Sequence, residues 1–188
     1  MKNVYIGGTI RSGKSTLSKM LYHKLHYSVF ELDSIVHSFT KVFPELGINE
    51  KHSENLEENF KPFAYEVLKC CDKDRKYSNI KVCINGFHLS PQTMAEFKKV
   101  DNMIVIFLGM SDVSPEQLLQ NIKNTQEDGD WTMEKSDESL LHICKNIVER
   151  SQFLKAECEK YGFLYFDTSI DREETLNSIV NYLQEENV

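Results

Sequence analysis

No run of apolar residues in this 188-residue chain is long enough to cross a bilayer. The first residues lead straight into a short apolar strand and a glycine turn, without the charged segment and long apolar stretch of a secretory leader. Neither export nor membrane anchoring is therefore expected. Positive charge is also in short supply: Lys and Arg total 22 against 29 Asp and Glu, a formal net charge of −7, and no Lys/Arg run forms a basic stripe. Nucleic acid is not an expected partner. A phosphorylated ligand stays open, because phosphates are held by a few local donors and a helix terminus rather than by net charge. The five cysteines, Cys70, Cys71, Cys83, Cys144 and Cys158, are odd in number and form no C-x-x-C pair. That pattern signals neither a disulfide framework nor a zinc cluster and fits buried thiols in a reducing cytoplasm. Internal repeats and low-complexity tracts are missing, and a hydrophobic share of 40% with a charged share of 27% is ordinary for a folded chain. Residues 1–188 are enough for a single domain with a real core.

What is present alternates strand and helix from end to end, the pattern of a mostly parallel sheet covered on both faces. Periodicity predicts a strand over Asn3–Gly7, a helix over Lys14–Tyr27 with Leu17, Met20, Leu21 and Leu25 on one face, and a strand over Ser28–Leu32. Leu56, Phe60, Phe63, Ala64, Val67, Leu68 and Cys71 then recur at helical spacing before a buried strand over Ile80–Ile84. Pro91 suits a helix start near Gln92. The most apolar run, Asn102–Leu108, reads as a central strand stopped by Gly109, and Ser114-Pro115 opens the next helix as cap and first-turn proline. Gln126–Ser136 is polar and aperiodic and contains Gly129, which marks a mobile loop. A long helix from Asp137 should stop at Gly162, followed by a strand over Phe163–Asp167 and a last helix with Leu176, Ile179, Val180 and Leu183 on its apolar face.

One segment carries specific chemistry. Gly8-Thr9-Ile10-Arg11-Ser12-Gly13-Lys14-Ser15 has the spacing G-x-x-x-x-G-K-S, followed by Thr16. The glycines are needed because backbone N–H groups must point inward at phosphate oxygens, which side chains would obstruct. Lys14 then bridges the terminal phosphates, Ser15 is placed to ligate Mg²⁺, and the helix starting there aims its positive end at the same anion. The bland alternative, a glycine-rich turn that happens to match, lacks the preceding strand and the following amphipathic helix that this segment has.

With these residues in place the chain resembles the small P-loop kinases, the group that includes nucleoside monophosphate, shikimate, gluconate and uridine kinases. The likeness covers nearly the whole order of elements, with Gly8 to Ser15 its only highly specific motif. It implies a three-layer α/β P-loop NTPase fold: a five-stranded parallel sheet with helices on both faces and a small helical lid. It also implies ATP or GTP with Mg²⁺ and a small-molecule acceptor, a substrate-binding helical region at about residues 33–75, and a lid at about 123–136.

Candidate residues beyond the loop follow from strand ends and charge. Asp33 stands at the carboxyl edge of the second strand, where open α/β sheets place ligand-facing residues, and resembles the aspartate of sugar- and antibiotic-phosphorylating relatives. It could take the proton of an attacking hydroxyl or orient the metal shell; equally, it could cap a helix over Ser34–Thr40. Asn85-Gly86-Phe87-His88 follows the third strand, where relatives often carry an acid; asparagine could hold a metal-bound water but adds no charge. His88 is read as packed or surface-exposed rather than substrate-bound. Arginine occurs only as Arg11, Arg75, Arg150 and Arg172. Arg150, where similar kinases carry a lid arginine, is either the charge stabiliser or half of a surface ion pair with Glu149 or a neighbouring carboxylate. In the lid, Glu127 to Thr132 departs from the arginine-rich adenylate kinase pattern, Lys123 and Lys135 are the only cations, and Trp131 either covers the ligand or anchors the loop. Thr168 and Ser169 close the last strand where relatives rest the adenine ring; an ordinary helix cap is the alternative.

The sequence thus predicts an ATP-dependent small-molecule kinase with Lys14, Asp33 and Arg150 as catalytic residues. Two alternatives stay in view. A nucleoside monophosphate kinase is disfavoured by the scarcity of arginine near the substrate helix. A nucleotide-binding module without transfer chemistry is favoured slightly by Asn85.

Overall fold

A computed structural model describes residues 2–48, 56–78, 80–97, 102–126 and 128–186, with side chains in the third helix up to residue 71. The Arg75 side chain, Asn79 and Glu127 therefore lie outside the described residues.

Strand β1 (Asn3–Gly8) is buried along its whole length and sits at the middle of a five-stranded, all-parallel sheet. β2 (Ser28–Glu31) and β3 (Val82–Asn85) lie to one side of it, and β4 (Met103–Gly109) and β5 (Leu164–Asp167) to the other. The order is β2-β3-β1-β4-β5, so the run read as central, β4, is an interior neighbour of the true centre β1. Alternation along β1 serves two cores. Val4 and Ile6, with Cys83 and Ile106, pack under α1 (Lys14–Leu25) and α7 (Arg172–Glu185) through Leu17, Leu21, Leu176 and Ile179. Tyr5, with Ile84 and Phe107, packs under α2 (Leu32–Val42), α3 (Leu56–Ser78), α4 (Pro91–Glu96) and α6 (Asp137–Tyr161) through Val36, Phe60, Leu68, Met94 and Leu154. Each fully buried Leu or Ile in these layers contributes about 1.5–3 kcal/mol. A third cluster joins α5 (Pro115–Asn124) to α6 through Leu118, Ile122, Cys144 and Ile147. The predicted three-layer fold with five parallel strands is the observed one.

Several boundaries differ from the sequence reading for local reasons. α1 stops at Leu25 rather than Tyr27 because His26 adopts a left-handed φ of 59° and turns Tyr27 into the core, 1% exposed. β2 ends at Glu31 and α2 starts at Leu32, so Asp33 lies inside the first turn instead of capping it. β3 begins at Val82, whose N–H donates to Asn3 Oδ1, while Ile80 is half exposed. The predicted caps hold: Ser114 and Gln117 form a reciprocal capping box, and Gly162, with φ 75°, ends α6. The expected helical lid is instead a run of turns over 128–135. Gly129 takes a positive φ of 85°, and Asp130 turns its carboxylate back onto the N–H and hydroxyl of Thr132, a local alternative to helical bonding.

Candidate active site

All five strands end at one edge of the sheet, and there the chain between β1 and α1 forms a loop that only its sequence permits. A Cβ on Gly8, at φ 130°, would lie 2.0 Å from the Leu108 carbonyl oxygen. Arg11 and Gly13 also take positive φ, 62° and 94°. Gly13 caps α1 with no side-chain bond, which leaves the first N–H groups of the helix open toward the loop. From outside, Thr168 braces the loop by donating to the carbonyls of Ser12 (3.0 Å) and Gly109 (3.2 Å). Ser12 turns its own hydroxyl inward to Thr9 O, 2.8 Å away, and Thr9 Oγ1 lies 3.3 Å from Ser151 Oγ. The side chains of Thr9, Ser12 and Thr168 thus shape the loop from within and behind.

Lys14 is buried, with Nζ donating to Thr9 O (2.7 Å) and Gly8 O (3.2 Å). Burial pushes its ammonium down to about 8, opposed by the charge of Asp33. A cation held only by two carbonyls in a desolvated place is poised for an anion. Ser15 and Thr16 are exposed and line, with Lys14, Gly13, Arg11 and Asp33, a cavity of about 340 Å³.

That cavity has a neighbour on each side. Toward β5 it shares Arg11 and Arg172 with a cavity of about 280 Å³ walled by Leu118, Ile122, Thr168 and Ser169. Toward α6 it shares Ile10 and Phe87 with one of about 310 Å³, walled by Leu89, Ile143, Asn146, Ile147, Arg150 and Leu154. Of the residues the sequence singled out, Thr168 and Ser169 line the first of these neighbouring cavities and Arg150 the second. Sequence reasoning assigned no role to Arg172, which donates to the Arg11 carbonyl and borders two of the cavities. An arginine opening the helix after a ligand-facing strand end was the available signal. Among the described residues of the helical region 33–75, Asp33 alone reaches these cavities; Phe60, Ala64 and Leu68 face the core.

Asp33 is 46% exposed at its side chain, and its Oδ1 lies 3.3 Å from His88 Nε2 without hydrogen-bond alignment. His88 is packed, as expected, between Phe87 and Phe60, but its place beside Asp33 was not foreseen. Gly86 makes the approach possible: a Cβ there would meet Leu32 Cβ at 2.9 Å and Asp33 Oδ1 at 3.2 Å. Asn85 is buried and spends its amide N–H on Ser18 Oγ at 2.7 Å, tying β3 to α1. Arg150 makes no ion pair with Glu149; its guanidinium lies 5.0 Å above the Phe153 ring. Trp131 is 46% exposed under Lys135, so Thr132, 1% exposed, rather than Trp131, anchors the turn segment. Lys123 pairs with Asp137 at 2.6 Å. Among the described residues no group of three His, Cys, Asp or Glu could hold a metal by itself. A magnesium ion held by phosphates, water and the exposed Ser15 hydroxyl needs no such cluster, so these residues fit it.

A parallel sheet of this order with a glycine-lysine-serine loop at the open end of its first helix defines a P-loop phosphotransferase. The chain belongs to the shikimate kinase family, whose model matches residues 11–184. The shikimate kinase of Caldanaerobacter subterraneus subsp. tengcongensis is 27% identical over 155 residues, 82% of each chain. The shikimate kinase of Bacteroides thetaiotaomicron superposes with a TM-score of 0.60 at 19% identity, covering 98% of this chain and 97% of that one. A sugar kinase from Janibacter sp. HTCC2649 does so with 0.63 at 13% identity, covering 98% and 95%. The protein is an ATP-dependent small-molecule kinase. Nothing among these relatives favours GTP or a binding module without transfer chemistry. No helix among the described residues is long and apolar enough to cross a membrane.

Proposed function

We propose that this kinase moves the terminal phosphoryl group of ATP to a hydroxyl of shikimate or a closely similar hydroxylated carboxylic acid. The observation that carries the reading is the row of joined cavities, in which Arg11 and Arg172 link a base-sized space to the phosphate loop and Ile10 and Phe87 link the loop to a space holding Arg150. Residues 1–188 act as one domain, with 123–136 as its lid. The backbone of Gly8, Thr9, Ile10, Arg11, Ser12 and Gly13, with the start of α1 at Lys14, Ser15 and Thr16, holds the polyphosphate. Lys14 exchanges its two carbonyl partners for phosphate oxygens and meets the charge that builds on the moving group. Asp33 accepts the proton of the attacking hydroxyl and orients it. Arg150, free of a carboxylate partner among the described residues, offers a planar fork to an anionic acceptor or to the migrating phosphoryl group. Thr168 and Ser169 flank the base. Ser15 would hold magnesium together with the phosphates, and the ion would supply positive charge beside the terminal oxygens. The site of action is the cytoplasm, where thiols stay reduced.

Steady-state ADP release with ATP–Mg²⁺, screened against shikimate and related hydroxy acids, tests the assignment. Acceptor-stimulated turnover, lost in Lys14→Ala and cut at least about a hundredfold in Asp33→Asn, is expected. A fully active Asp33→Asn enzyme would remove the base; stimulation by nucleoside monophosphates alone would redirect the acceptor.

A further inference from the structure

We infer that His88 is a positioning residue for Asp33: its imidazole steers the carboxylate through Oδ1 and leaves Oδ2 for the acceptor hydroxyl. The inference rests on the reading of Asp33 just given.

His88 follows the carboxyl end of β3, and its side chain is fully buried, 0% exposed. Both ring nitrogens lack a hydrogen-bond partner, and so does Asp33 Oδ1. Buried polar atoms are seldom left so, and here two of the three orphans face one another: Nε2 and Oδ1 are 3.3 Å apart. Other polar groups of this region bond elsewhere. Glu57 Oε1 accepts from Ser90 N and from the Thr93 hydroxyl. The Tyr5 hydroxyl donates to the carbonyls of Gly86 and Leu89.

Mobility is unequal across the gap. The imidazole is clamped, with the Phe87 ring centroid 3.9 Å away and Phe60 edge-on at 5.7 Å. Asp33 is 46% exposed and borders the phosphate cavity, so the carboxylate is the partner that turns. A small rotation aligns Nε2–H with Oδ1. That locks the rotamer beside Gly86, where a Cβ would approach Oδ1 to 3.2 Å. A carboxylate so fixed presents its second oxygen in one direction, which is what orienting a nucleophile for in-line transfer requires. In this account His88 touches neither nucleotide nor acceptor and acts only through Asp33.

The tests use the full chain with ATP–Mg²⁺ and shikimate. His88→Leu should lower kcat about ten- to a hundredfold with KM for ATP unchanged, as a misdirected base would. His88→Gln, whose amide can donate from nearly the same place, should recover most of that loss. In an Asp33→Ala background, His88→Leu should add nothing. Imidazole nitrogen NMR supplies a readout without any acceptor: His88 should be protonated at Nε2, with a signal that shifts in Asp33→Ala. Unchanged kcat in His88→Leu, no recovery in His88→Gln, an equal loss in the Asp33→Ala background, or an Nδ1-protonated ring would each overturn the inference. An inactive Asp33→Asn enzyme beside a fully active His88→Leu enzyme would defeat the positioning alone. A fully active Asp33→Asn enzyme would defeat the base assignment first.

Discussion

Arg11 of the loop between β1 and α1 and Asp130 of the turns over 128–135 are joined across 119 positions of sequence: Nη1 donates to Oδ2 at 2.8 Å and to Oδ1 at 3.0 Å. Both side chains are largely shielded, 18% and 13% exposed, so this is a stronger pair than an open surface bridge. It holds the turns over 128–135 against the loop between β1 and α1, and a cavity of about 390 Å³ there is lined by both residues together with Trp131. Asp130→Ala should release the lid and speed ATP dissociation by about three- to tenfold, read by stopped-flow displacement of a fluorescent nucleotide.

The same contact sets a pH dependence. The backbone N–H of Thr132, then Arg11, holds the Asp130 carboxyl at about 2, below its ordinary 3.8. A carboxyl depressed on folding stabilises above its unfolded pKa and loses that contribution as pH falls through the folded value. Wild type should therefore melt above Asp130→Asn by a constant margin from about pH 4 upward, and the margin should vanish as the pH approaches 2. Thermal unfolding of the two proteins across that range checks it.

The loop's glycines are not equivalent. At Gly8 an added methyl meets backbone at 2.0 Å, whereas at Gly13 it clears the Leu176 side chain by 3.4 Å. Both positions have positive φ, so each alanine carries strain of about 1–3 kcal/mol. Gly8→Ala adds a collision with β4 and should unfold at clearly lower denaturant than Gly13→Ala, in which lost nucleotide binding should exceed lost stability.

Asn85 looked in sequence like a missing acid. In the fold its amide is engaged with Ser18, so its effect should be on stability rather than on metal. Asn85→Ala should lose about 1–3 kcal/mol by leaving Ser18 short of a partner. Half-maximal magnesium should stay near the wild-type value, instead of rising the about 10–100-fold expected of a residue that orients metal ligands. Magnesium titrations of initial velocity decide between the two.

The parts of the site that the sequence revealed are those written in consecutive residues. Gly8 to Ser15 announced the phosphate loop because its chemistry depends on spacing, and the succession of strands and helices followed from apolar periodicity, whereas their order in the sheet did not: β4 read as the centre, and β1 holds it. The parts it concealed are made by distant segments meeting. His88 reads as one more packed histidine until β3 and α2 bring it to Asp33, and nothing local to Arg11 names Asp130, 119 positions away, as its partner. Asn85 has a contact that its position did not announce: its amide donates to Ser18 and braces β3 against α1. Trp131, the one tryptophan, drew attention by its rarity, yet Thr132 beside it does the anchoring.

The most direct measurement is phosphorus NMR of the products formed when the enzyme is incubated with ATP–Mg²⁺ and shikimate. A new phosphate-ester resonance rising in step with ADP, and missing with Lys14→Ala, is the predicted result. ADP accompanied only by inorganic phosphate, or a Lys14→Ala enzyme that forms the ester as fast as wild type, would contradict the account.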